Sequence, residues 1–134
     1  MSTLTMDAVS SEFELTDAEL HLYSRQILLD GWDIEAQEKL KFSNICIVGC
    51  GGIGCALAEL LARAGVGKIT LIDPDTIEMS NLQRQLAFTP NDLGFYKAET
   101  LAKRLAQINP NVQVVSINQA LTTENAESII EHQD

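Results

Sequence analysis

The residues best suited to chemistry lie in the run Gly49-Cys50-Gly51-Gly52-Ile53-Gly54. It contains G-x-G-x-x-G at Gly49, Gly51 and Gly54, with an additional glycine at Gly52. Each glycine has a physical use in a phosphate-binding turn. Gly49 permits a tight turn, Gly51 and Gly52 let backbone N–H groups approach phosphate oxygens, and Gly54 lets a helix pack close to a strand. A helix N-terminus behind such a turn adds free donors and a partial positive charge. Asp73 follows about twenty residues later. An acid at that spacing can accept hydrogen bonds from both ribose hydroxyls. Together these features point to an adenosine nucleotide and leave NAD and ATP open.

The cations narrow the choice. Asn81 and Arg84 lie in Ser80-Asn81-Leu82-Gln83-Arg84-Gln85, and Lys97 follows Gly94-Phe95-Tyr96. An arginine and a lysine close to a phosphate turn can neutralise a triphosphate and the charge that develops on it. A nicotinamide site has little need of two further cations, so an NAD(P)-binding oxidoreductase domain is the disfavoured alternative. Taken singly, Arg84 and Lys97 are also compatible with ordinary surface charge.

The elements needed to position these groups are legible in the pattern. Asn44 to Val48 is a short β-branched run that reads as a buried strand. Ile53 to Ala64 is apolar at helical spacing and stops at Gly65, a C-cap signal. Lys68 to Ile72 and Val112 to Ile117 read as further strands. Phe95 to Ile108 reads as a helix stopped by Asn109-Pro110, and Thr123 to His132 as a last helix with Thr123 as N-cap. Residues 74–94 form a long polar connection of the kind that is functional or hides short helical turns. Ahead of the first strand, Thr16 and Glu19 fit a capping box for a helix from Asp17 to Leu28, with a second helix over Glu35 to Lys41. The expected fold is therefore α/β: a Rossmann-like parallel sheet of three strands, preceded by two helices. In the doubly wound order 3-2-1-4 a fourth strand would pair with the first. The reading is thus of an acidic tail over residues 1–15 and a nucleotide-binding domain over 16–134 that stops before that strand.

Composition bounds the function. The chain has 134 residues and a formal charge of −10, which argues against nonspecific nucleic-acid binding or attachment to an anionic membrane. No apolar run approaches the length of a transmembrane helix. The three cysteines, Cys46, Cys50 and Cys55, fit neither a disulfide framework nor a structural zinc spacing, and read as reduced thiols in a cytoplasmic chain. Cys50 also sits by a helix N-terminus that could lower its pKa and make it reactive. His21 and His132 read as solvent-facing. The acidity belongs mainly to the ends: residues 1–19 hold five acids and residues 120–134 four, with no Lys or Arg in either.

Five motifs in order, namely Tyr23-Ser24-Arg25-Gln26, Gly49 to Gly54, Ala64-Gly65-Val66-Gly67, Asp73-Pro74-Asp75 and Ser80 to Gln85, resemble the MoeB/ThiF family, bacterial relatives of the ubiquitin-activating enzymes. The likeness begins near Leu20 and reaches the last residue, and it is greatest to the molybdopterin-type members. It implies an enzyme that uses ATP and Mg2+ to adenylate the C-terminal glycine of a small ubiquitin-like sulfur-carrier protein ending in Gly-Gly, with release of pyrophosphate. By the same resemblance Gly52 lies in the phosphate turn, Asp73 holds the ribose, and Asn81 and Arg84 contact the phosphates. Lys97 stabilises charge during attack at the α-phosphorus. Arg25 reaches the γ-phosphate of a partner subunit's ATP in a homodimer. The family's Mg2+-binding Asp, its paired zinc-binding CxxC motifs and its carrier-protein groove are expected beyond position 134. The isolated chain is accordingly expected to be inactive, and a non-catalytic fragment or interaction module is the alternative.

Overall fold

The computed structural model describes residues 15–134, so the acidic tail lies almost wholly outside the described residues. The chain divides into two compact units, Met1–Leu40 and Lys41–Asp134.

In the first unit, α1 (Asp17–Leu22) opens on the expected capping box. Thr16 Oγ1 accepts the Glu19 N–H at 3.2 Å, and the Glu19 carboxylate accepts the Thr16 N–H at 2.8 Å. The single helix expected to Leu28 is instead broken. Tyr23, at φ −97° and ψ 10°, ends α1, and α2 (Ser24–Ile27) restarts immediately. One residue out of helical conformation barely changes the spacing of Leu20, Tyr23 and Ile27, so apolar periodicity does not detect the break. The third helix, α3 (Ile34–Phe42), starts where the Asp33 carboxylate accepts the Ala36 N–H at 2.8 Å. Gln37 is fully buried, and its Oε1 accepts from Gln26 Nε2 and, at 3.1 Å, from Trp32 Nε1.

The second unit carries a parallel sheet of β1 (Asn44–Val48), β2 (Lys68–Ile72) and β3 (Gln113–Ile117), in the order β1-β2-β3. Asn44 is opposite Lys68, and Lys68 opposite Gln113. The central strand is the most deeply buried, with Ile69, Leu71 and Ile72 all at or below 1% exposure. The crossover helices are α4 (Gly52–Ala64) and α5 (Lys97–Ile108). α4 turns Cys55, Ala58 and Ala62 inward, and α5 buries Ala98, Leu101 and Leu105. Small residues on α4 let the two helices lie close on one face of the sheet. Gly65 ends α4 in the left-handed conformation (φ +102°). Two residues on, a Cβ at Gly67 would stand 1.7 Å from the Lys41 carbonyl oxygen, so only glycine fits there.

The long connection is tied at its neck. Thr76 and Tyr96 form an antiparallel bridge, and Ile77 N–H donates to Phe95 O at 2.8 Å. Between these points lie two short 3-10 turns, Met79–Asn81 and Pro90–Asp92. The last helix, α6 (Ala126–Ile130), is shorter than expected and starts three residues later. Thr122 and Asn125, not Thr123, exchange the side-chain hydrogen bonds that turn the chain into it. After α6, Asp134 reaches the outer edge of β1, its N–H donating to Asn44 O at 2.7 Å and its carboxylate accepting the Asn44 N–H at 2.8 Å. Among the described residues no helix is long and apolar enough to cross a membrane.

Candidate nucleotide site

The glycine turn joins β1 to α4. Gly49 takes φ +99°, which favours glycine, and continues the ladder by donating to Ile72 O at 2.8 Å. Gly54 permits a close approach that is tighter than helix-on-strand packing: its Cβ would stand 1.9 Å from the Gly49 carbonyl oxygen. At Gly51 and Gly52 the protein leaves room. A Cβ at Gly51 would stand 3.8 Å from Gln85 Nε2, and one at Gly52 3.5 Å from Arg84 O, both ordinary contacts. Bare backbone is thus required by the fold at Gly49 and Gly54, and left open at Gly51 and Gly52, on the rim of a cleft of about 670 Å³ that Arg84 also lines.

Asp73, only 6% exposed, directly follows β2. Its Oδ2 accepts the Cys50 N–H at 2.8 Å and its Oδ1 accepts the Asp75 N–H at 2.7 Å. The carboxylate therefore fixes the glycine turn as well as facing the end of the sheet, and each oxygen keeps a lone pair for a further donor.

Asn81 closes the first 3-10 turn. Its Oδ1 accepts the Glu78 N–H at 2.8 Å, while its carbonyl accepts from the N–H groups of Arg84 and Gln85. The Arg84 guanidinium donates to Ser80 O at 3.0 Å, and its side chain runs beside Gly52. Lys97 is 7% exposed at the start of α5 and makes no ion pair among the described residues. It lines a polar pocket of about 240 Å³ with Asp75, Thr76, Glu78 and Asn81. The antiparallel neck holds it there, with Lys97 N–H donating to Asp75 O at 3.0 Å. Its charge is felt at the Cys50 and Cys55 thiols, which puts it within electrostatic reach of the glycine turn.

The tertiary structure thus gathers Gly49, Gly51, Gly52, Gly54, Asp73, Asn81, Arg84 and Lys97 at the carboxyl end of the sheet. Arg25 belongs to the first unit, where it is exposed on α2. The reactive-thiol reading of Cys50 is overturned: burial, aided by the Asp73 carboxylate and Cys55 and only partly opposed by Lys97, pushes its thiol up to about 12. The helix terminus cannot compensate for the loss of water around a thiolate. Gln85 was not singled out by sequence reasoning, although it sits inside a quoted motif; nothing in its residue type announces that it is 3% exposed.

A glycine-rich turn, a buried acid at the second strand end and two cations around one sheet end define the site of a Rossmann-like α/β unit. Comparison with known proteins identifies the branch: residues 23–134 match the ThiF family, and the chain belongs to it. It is 46% identical over 120 residues to the molybdopterin-synthase adenylyltransferase of Escherichia coli, covering 89% of this chain and 48% of that protein. It is 41% identical to the sulfur carrier protein ThiS adenylyltransferase of the same organism, covering 90% and 48%. The fold matches the crystal structure of E. coli tRNA N6-threonylcarbamoyladenosine dehydratase in complex with ATP, with a TM-score of 0.80 and 33% identity, over 87% of this chain and 47% of that one. The chain spans about half the length of these relatives.

Proposed function

We propose that this chain is the ATP-binding part of an adenylyltransferase that activates the C-terminal glycine of a ubiquitin-like sulfur-carrier protein, of the molybdopterin-synthase small-subunit type, and releases pyrophosphate. The observation that carries the reading is Lys97, a buried cation with no ion pair among the described residues, which lines a polar pocket within electrostatic reach of a glycine turn. A buried, unpaired ammonium is costly, and an anion supplied by a ligand offsets that cost. Phosphoryl-centre chemistry needs positioning and cations more than a nucleophilic side chain, and the gathered residues are of that kind.

In this reading the N–H groups of the Gly49–Gly54 turn cradle the phosphates, Gly51 and Gly52 giving them access. Asp73 receives the ribose hydroxyls. Asn81 Nδ2 and the Arg84 guanidinium hold the phosphate chain, and Lys97 stabilises charge as the carrier carboxylate attacks the α-phosphorus. Arg25 acts across a homodimer on the partner's triphosphate. Magnesium would supply further charge neutralisation on the phosphates. Among the described residues no three His, Cys, Asp or Glu side chains gather into a metal-holding group, so the protein's own contribution here is cationic side chains and backbone donors.

We also propose that the outer edge of β1 receives a further parallel strand. Asp134 pairs with this edge at Asn44, while Val48, Ile53, Leu57 and Leu60 are all more than 40% exposed along the edge and on α4, and such an exposed apolar edge calls for a partner.

Binding of ATP with Mg2+ and of NADH tests the class: tight NADH binding without ATP binding would overturn it. Pyrophosphate exchange with a carrier ending in Gly-Gly tests the activity. Robust exchange by the 134-residue chain alone would overturn the proposal that further elements are needed.

A further inference from the structure

We infer that Gln85 is a positioning residue for the phosphate end of the nucleotide site, its carboxamide setting the arginine loop against the glycine turn. This rests on the ATP reading above.

Three observations converge on it. Gln85 is 3% exposed, yet its Oε1 is buried with no hydrogen-bond partner among the described residues. An orphaned buried acceptor is costly, and an apolar residue of similar size would avoid that cost. Its Nε2 lies 3.8 Å from the position of a Cβ on Gly51, the N-cap of α4. Its backbone is held on both sides: its N–H donates to Asn81 O at 2.9 Å and its carbonyl accepts the Phe88 N–H at 3.2 Å. The side chain therefore stands as a spacer between the loop bearing Asn81 and Arg84 and the turn bearing Gly51 and Gly52.

The consequence is geometric. Arg84 O and the Arg84 side chain rest beside Gly52, and the residue next in sequence fixes how near they come. A carboxamide is suited to this place. It is neutral, so it does not repel phosphate, and it offers both a donor and an acceptor, so it can meet a phosphate oxygen or an ordered water as the site fills.

The test compares ATP and adenosine binding by calorimetry on the whole chain, with thermal melting alongside. Q85L removes the orphaned acceptor and keeps the bulk. Its melting temperature should equal or exceed the wild type's, while ATP affinity falls by about threefold or more and adenosine affinity holds. Q85E keeps the shape and adds a charge beside the phosphates. It should weaken ATP by at least about tenfold relative to adenosine. A merely structural glutamine would leave the ATP-to-adenosine ratio unchanged in both variants, and that result would overturn the inference while the nucleotide reading stood. Absence of ATP binding by the wild type would overturn both.

Discussion

The Asp73 carboxylate accepts the Cys50 backbone N–H at 2.8 Å, joining the end of β2 to the turn that follows β1. One side chain thereby links the end of the second strand to the glycine turn, two parts of the candidate site. Replacing Asp73 with Asn should destabilise the fold by about 1–3 kcal/mol, because the amide has one acceptor oxygen and would turn its NH2 toward one of two backbone N–H donors. Denaturant unfolding would measure this. ATP affinity should fall in the same variant, and an unchanged midpoint would contradict the anchoring role.

The glycines of the turn divide into two kinds. Gly54→Ala drives a methyl into the Gly49 carbonyl, so it should cost more than about 2 kcal/mol or prevent folding. Gly52→Ala meets nothing closer than 3.5 Å and should fold with a near-native melting temperature. It should nonetheless bind ATP more weakly, because the methyl occupies the phosphate approach. Equal behaviour of the two variants would remove the distinction.

Lys97 is buried and makes no ion pair among the described residues, although Asp75 and Glu78 line the same pocket. Lys97→Met should keep or raise stability by up to ~1 kcal/mol, since it relieves a buried cation of its desolvation cost. The same change should weaken ATP binding at least about tenfold. A loss of both stability and binding would instead mean that Lys97 is structural.

The buried thiols set an alkaline limit. Burial raises Cys50 to about 12 and Cys55 to about 11, the latter opposed by the Ala87 N–H, Lys97 and Arg104. In the unfolded chain they ionise at roughly 8.5. The fold thus favours the protonated thiols: their contribution is intact below that value and diminishes as pH rises toward 11–12. Unfolding midpoints should fall above about pH 9. Cys50→Ala and Cys55→Ala should each flatten that fall, and alkylation at pH 8 should reach the half-buried Cys46 first. Rapid alkylation of Cys50 would contradict its burial.

The sequence by itself determined the alternation of strands and helices, the glycine-rich turn between the first strand and its helix, the Thr16–Glu19 cap and the order of the motifs, because these depend on local periodicity and on glycine and capping chemistry between near neighbours. It could not determine that the helix breaks at Tyr23, since one non-helical residue leaves the apolar spacing intact. It placed the start of α6 at Thr123, because several hydroxyl and amide side chains there compete to cap and only the folded chain selects Thr122 and Asn125. Gly67 is needed for a carbonyl 26 residues away at Lys41, a reason invisible to local pattern. The same holds for Cys50, whose ionisation is governed by desolvation more than by its place at a helix end, and for Gln85, whose burial against Gly51 arises only when a distant loop folds onto the turn. Tertiary structure decided the groups whose energies depend on what is packed around them, since burial and close approach are properties of the assembled chain.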